Sequence, residues 1–135
     1  MTDPEQEQRR RVEAYEAKER IDSVVSDLSE IPGVIGALIT RGNGIVVSSK
    51  VPGGGDPNLI GAMSAAVLEH GNSCMGKLNL GDFRFGVIES RARVFLLLVV
   101  DELILTLLAN RTVPIGFLSM RMREAAEEIS ELIRR

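Results

Sequence analysis

Residues 94–109 read Val-Phe-Leu-Leu-Leu-Val-Val-Asp-Glu-Leu-Ile-Leu-Thr-Leu-Leu-Ala. Two seven-residue runs, apolar except for Thr106, flank the acidic pair Asp101-Glu102. Each run has the length of a strand, and β-branched or bulky residues dominate both. Neither alternates cleanly, so each strand is expected to be buried on both faces. The acidic pair is the natural reversal point, because charge at the apex stays in water. A membrane span fails on length. It needs about 20 uninterrupted apolar residues, and each carboxylate at mid-bilayer costs about 2.5–3.5 kcal/mol. The stretch therefore predicts a central antiparallel hairpin in a sheet covered on both sides.

The rest of the chain has to supply that cover. At 135 residues it makes one domain, and 44% apolar content suits a globular core rather than disorder. The net charge of −3 and the lack of a basic patch threaded with aromatics argue against nucleic-acid binding. A single cysteine, Cys74, excludes an internal disulfide and a cysteine-rich zinc site. The N-terminus is charged and lacks an apolar core, unlike a signal peptide, so a cytoplasmic protein is expected.

Thr2-Asp3-Pro4-Glu5 reads as a helix start, with Thr2 or Asp3 as cap and Glu5 completing a capping box with Thr2. Of the first twenty residues six are acidic and five basic, and pairs such as Glu5/Arg9 and Glu7/Arg11 are helix neighbours. The triplet Arg9-Arg10-Arg11 offers a phosphate or lipid contact, but it is read first as part of a solvated face, since acids surround it. Ala14, Ala17, Ile21, Val24, Leu28 and Ile31 recur at spacings of three and four. The helix should dock by its second half while residues 1–20 form a charged extension to a domain at 21–135.

Pro32-Gly33 stops that helix, and Val34 to Thr40 follows as a strand in which Gly36 marks a bulge or close approach. Arg41-Gly42-Asn43-Gly44 is a hairpin turn, since Asn and Gly tolerate positive φ. Ile45 to Ser49 returns. The run Pro52-Gly53-Gly54-Gly55-Asp56-Pro57 is a linker, with no phosphate-binding helix motif attached.

A second helix is expected from Asn58 to about Asn72. Leu59, Ile60, Ala62, Met63, Ala65, Ala66, Val67 and Leu68 leave it almost no polar face. A short helix of that kind has to be covered on more than one side. One chain offers a sheet for one side, so the other side calls for a partner, unless loops of the same chain enclose it. Gly61, Ser64 and Ala65 are small enough for a second backbone to approach.

Gly71 to Lys77 matches most of a Walker A pattern, but Leu78 stands where the magnesium-binding hydroxyl belongs, and the helix precedes the motif instead of following it. Gly71 and Gly76 are read as helix-ending residues instead. His70 and Cys74 lie one helical turn apart and could both touch a metal, but two ligands without a third or fourth are a weak signal, and they are read as a half-buried structural pair.

Residues 81–90 read as a strand, with Phe83, Phe85 and Val87 on one face and Asp82, Arg84 and Ile88 on the other. Alternating charge suits a sheet edge, and pairing with the same strand of a second copy would cover its aromatics. Thr112 is expected to cap the last helix, with Pro114 in its first turn. Asn110-Arg111-Thr112 has the form of a sequon and is read as a loop and cap. Ile115, Leu118, Met122, Ala125, Ile129 and Leu132 form its apolar stripe, with Glu127, Glu128 and Glu131 facing water.

The order is helix, two strands, helix, three strands, helix. With Ile31 to Thr40, Gly42 to Ser49, the apolar helix from Leu59, and Arg93 to Ala109 with its acidic turn, it resembles the roadblock, or dynein light chain-like, family. That family includes bacterial and archaeal regulators of Ras-like GTPases. The resemblance runs from about Ile21 to the C-terminus. It implies an α/β fold of the α+β sandwich kind: a five-stranded antiparallel sheet, the first and last helices on one face and the middle helix on the other. It also implies a homodimer in which the 81–90 strand pairs with its copy and the middle helices pack together. Leu59, Ile60, Met63, Ser64, Val67, Phe83, Arg84, Phe85 and Val87 are then the interface candidates, and Gly61, Ala65, Leu68 and Asn72 the partner-binding ones. Family members serve as platforms for small GTPases or for motor and signalling complexes.

The expected function is a non-catalytic dimeric scaffold or regulator of a small Ras-like GTPase, needing no cofactor or metal and making no stable membrane insertion. No arginine sits on an obvious rigid finger, Arg41 and Arg84 being the open cases. The alternatives are a light-chain-like adaptor and a small-molecule sensor. The sensor lacks a convergent polar set in an apolar pocket. An enzyme lacks an arranged base and nucleophile.

Overall fold

The structure is a computed structural model that describes residues 3–134. The elements are α1 (Pro4–Ser29), β1 (Val34–Arg41), β2 (Val46–Lys50), α2 (Pro57–Lys77), β3 (Phe85–Glu89), β4 (Arg93–Val100), β5 (Leu103–Asn110) and α3 (Ile115–Arg134). The five strands form one antiparallel sheet in the order β2-β1-β5-β4-β3. The expected arrangement is present, with the 94–109 hairpin at its centre. β4 and β5 pair from Arg93↔Asn110 to Val100↔Leu103, and Asp101-Glu102 makes the reversal. Asp101 takes a left-handed φ of 53°, and Ser130 Oγ on α3 donates to its Oδ2 at 2.6 Å.

Two layers of side chains cover the sheet. On one face Ile21, Val24 and Leu28 of α1 and Leu118, Met122 and Ile129 of α3 pack with Ala37, Ile39, Leu96, Leu98, Leu105 and Leu107. Val25, outside the strict three–four stripe, is fully buried as well. On the other face α2 covers a smaller cluster of Phe83, Leu97 and Ile104, joined by Val67, Leu68 and Met75. Each fully buried leucine contributes about 1.5–3 kcal/mol, so the α1/α3 side carries most of the stability. Residues 4–16 of α1 are all exposed, and burial begins at Ile21. Asp3 caps this helix by accepting from the Glu5 amide, whereas the capping box expected from Thr2 lies outside the described residues.

Several local expectations are corrected. The register shift between Val34 and Gly36 is the bulge expected at Gly36, but α2 does not end near Asn72. Gly71 and Gly76 lie inside it, and the helix closes at Leu78. There Asn79, at φ 56°, lets the Leu80 amide reach the Met75 carbonyl and its own amide the Gly76 carbonyl. Gly71 is a glycine because the Phe83 ring stands where its side chain would be. The third strand is shorter than 81–90, and Phe83 and Phe85 fall on opposite faces. Phe83 packs under α2, while Phe85 pairs with Leu98 in register and packs against the α1/α3 core. The α3 helix starts after Pro114, whose carbonyl accepts from the Leu118 amide, rather than at Thr112.

Candidate functional site

The candidate site is the outward side of α2 together with β3. Asp56 caps α2 by accepting from the Asn58 amide at 2.9 Å, and Pro57 opens its first turn. Its inner side is made of small and hydroxyl residues. A Cβ on Gly61 would overlap the Gly44 carbonyl and touch Thr40 and Val46 at 3.3 Å. Gly44, at φ +90° in the hairpin turn, is close in return: a Cβ there would lie 2.8 Å from the Gly61 carbonyl oxygen. Ser64 is fully buried; its Oγ donates to the Ile60 carbonyl at 2.9 Å and lies 2.8 Å from Thr106 Oγ1. With the Ser64 proton directed at Ile60, Thr106 is the donor of that second bond. The one polar residue in the 103–109 run is thus the anchor of α2. Thr40 Oγ1 beside it is buried without a partner among the described residues.

The outer side of α2 is apolar and open. Leu59 is 58% and Met63 50% exposed, with Ala62 exposed and Ala66 half-buried along the same side. Toward the C-terminus this side turns polar, through Glu69, His70, Ser73 and Lys77. Ile45, next to the Gly44 turn that abuts Gly61 and Ala62, adds a further apolar side chain at 57% exposure. The chain's own sheet therefore covers one side of α2, and no loop among the described residues encloses the other.

β3 lies at the sheet edge, paired with β4 alone. Val87 and Ile88 are exposed, Ile88 by 53%. Phe85 is half-buried, with the Arg123 guanidinium 5.2 Å from its ring centroid. The Arg84 carbonyl accepts from the Val99 amide at 2.8 Å, while its side chain is exposed.

The sequence-derived residues thus divide. Leu59, Met63, Arg84 and Val87 are exposed, and Phe85 is half-buried on the opposite sheet face from α2. Ile60, Val67, Ala65 and Leu68 are half-buried, and Phe83 is buried. Gly61 and Ser64 do not face outward: the backbone that approaches these small residues is the chain's own, at Gly44 and Thr106. Asn72 is exposed, but its Oδ1 accepts from the Phe83 amide at 3.0 Å and so fixes the α2–β3 connection. Ile45, Leu78, Leu80 and Ile88 are exposed apolar residues absent from the sequence-derived set. Hydropathy registers them, but only the register of the turn and edge reveals that they are uncovered.

His70 and Cys74 are both exposed rather than the half-buried pair expected, because they fall on the side of α2 that the sheet does not cover, and no group of three or more metal-ligating side chains occurs among the described residues. No helix among them is long and apolar enough to cross a membrane. One polar cluster lies elsewhere: Asp22 accepts from Lys18 Nζ at 2.6 Å and from Ser48 Oγ at 2.5 Å, joining α1 to β2. The hydrogen bond from Lys18, then that from Ser48, holds its carboxyl below the ordinary value.

Comparison with known proteins fits this geometry. A model of the Roadblock/LC7 domain matches residues 20–109. The chain belongs to the Roadblock/LC7 family. An uncharacterised protein of Methanocaldococcus jannaschii, MJ1340, is 29% identical over 112 residues, covering 83% of this chain and 98% of that protein. Among solved structures, Myxococcus xanthus MglB superimposes with a TM-score of 0.81 at 14% identity, over 87% of this chain and 90% of that one. A Roadblock/LC7 domain from Streptomyces avermitilis gives 0.76 at 20% identity, over 84% and 98%. At these identities the superpositions establish the shared fold.

Proposed function

We propose that this Roadblock/LC7 chain is a non-catalytic, homodimeric regulator or scaffold of a small Ras-like GTPase. The observation that carries the proposal is the uncovered apolar side of α2, Leu59 and Met63 above all, on the same sheet face as the exposed Ile88 of the β3 edge. Two copies joined edge to edge through β3 would extend one sheet across a two-fold axis. Their α2 helices would then meet over it and remove Ile88, Leu59 and Met63 from water. Such a dimer presents one broad helical platform rather than a cleft. Membership of the family, whose members serve as platforms for small GTPases or for motor and signalling complexes, supports a regulatory or scaffolding role of this kind.

A platform of this kind acts by binding one conformation of the GTPase switch loops better than another. It shifts their equilibrium by no more than that difference in affinity. Arg41 and Arg84 are exposed, but neither is buttressed as a finger into a partner's active site would need to be. The test is binding and GTP turnover with each small Ras-like GTPase encoded in the same genome, loaded with GDP or a GTP analogue. Binding that prefers one nucleotide state and is lost in Met63→Glu supports the proposal. Failure to bind any of them in either state overturns it.

A further inference from the structure

The first half of α1 lies outside the region matched by the family model, which begins at residue 20. Residues 4–16 form a helix whose side chains are all exposed. A helix of that length with no packed face is marginal in water, so this one calls for a partner. The side of α1 directed toward the domain carries Ala14, Ala17 and Ile21. Glu5, Arg9, Val12, Glu16 and Arg20 recur at spacings of 4, 3, 4 and 4 that put them on one face; Glu5, Arg9 and Val12 line an exposed groove, while Glu16 and Arg20 border the hollow between α1 and Leu132 of α3. The ion pairs of this segment are Glu7–Arg11 and Lys18–Asp22, which belong to the other side of the helix. Among the described residues Glu5, Arg9, Glu16 and Arg20 form no ion pair. The one apolar residue between them, Val12, is 51% exposed.

The order of these charges is acid, base, apolar, acid, base, and it is self-complementary on reversal. We propose that residues 4–20 pair with the same residues of a second copy as an antiparallel helix pair, about a two-fold axis between Val12 and Glu13. Glu5 then faces Arg20 and Arg9 faces Glu16, each twice, and the two Val12 side chains meet near the axis. Parallel pairing is disfavoured because it sets every charge against its own kind. Moving the axis by two residues sets Glu5 against Glu16 in one direction and Arg9 against Arg20 in the other. The pattern therefore selects one orientation and one register. Four exposed ion pairs make a weak, salt-sensitive contact, suited to joining copies reversibly. The pairing uses none of the α2 or β3 surface, so it stands or falls separately from the proposed function.

The test is sedimentation velocity on the full chain at high micromolar concentration and low salt. Arg9→Glu and Glu16→Arg should each halve the mass of the wild-type species, and the double variant Arg9→Glu/Glu16→Arg should restore it. Within one helix the double variant carries both new like-charge neighbours, Glu5 beside residue 9 and Arg20 beside residue 16. Weakening of the helix alone would thus make it the worst of the three, whereas pairing between copies makes it a rescue. Val12→Cys, in a Cys74→Ser background, should form a disulfide-linked pair under mild oxidation, while Arg11→Cys in the same background should not. Unchanged mass in both single variants, or equal cross-linking from positions 11 and 12, overturns the pairing.

Discussion

Two glycines in the same helix should respond to alanine with opposite signs. In a helix interior alanine is favoured over glycine by about 0.8–1 kcal/mol. At Gly76 a Cβ would meet nothing within 4 Å, so Gly76→Ala should gain most of that amount. At Gly71 the Cβ would lie 2.7 Å from Cγ and Cδ2 of Phe83. The ring cannot retreat toward the sheet, because its other end already fills the space over Gly86, 2.7 Å from the Cβ position there. Inserting a methyl into such a site costs about 1–3 kcal/mol. Set against the propensity gain, Gly71→Ala should lose about 1 kcal/mol, and the two variants should differ by about 2 kcal/mol. Urea unfolding followed by far-UV circular dichroism measures both, with the m-value as a check that the unfolding transition itself is unchanged. Stabilisation of Gly71→Ala to the same extent as Gly76→Ala would refute the packing of Phe83 between α2 and β3.

Three further outcomes follow from the same geometry. The carboxyl of Asp22 is held below its ordinary value, so the stability it adds is present above the unfolded pKa and is lost as pH falls through the lower folded one. The melting temperatures of wild type and Asp22→Asn should accordingly differ at neutral pH and converge in acid. A constant gap across pH would contradict this. Thr40→Val removes a buried, unpartnered hydroxyl and should stabilise by about 1 kcal/mol, whereas Ser64→Ala strands Thr106 and should cost about 1–3 kcal/mol in the same denaturation assay. Ile88→Lys, placed in an Arg9→Glu background to separate it from the α1 pairing, should sediment as a monomer while remaining folded; an unchanged dimer would count against β3 as the interface.

Much of this architecture is legible in the sequence, because burial imposes periodicity. The 94–109 run fixes the centre of the sheet, since two strands buried on both faces have few other readings, and the stripes of α1 and α3 fix the helices beside it. Contacts made by small residues are less legible. Gly71 and Gly61 look like a helix end and a partner-facing surface until Phe83 and Gly44 are seen filling the space beside them. Ser64 reads as another small outward residue because its partner, Thr106, is 42 positions away. Phe83 and Phe85 alternate correctly for a strand, but the regular strand begins only at Phe85, and the two rings part to opposite faces. Composition marks α2 as apolar on nearly every side; which of its sides stays open depends on which side the sheet occupies.

If β3 joins two copies edge to edge, its backbone amides that point away from β4 are hydrogen-bonded only in the dimer. Their hydrogen exchange can be followed by NMR across a concentration series in the Arg9→Glu background, which removes the proposed α1 pairing. Protection should rise with concentration and disappear in Ile88→Lys. Exchange of these amides at the rate of an unprotected chain, at every concentration and alongside a monomeric mass, would contradict edge-to-edge joining.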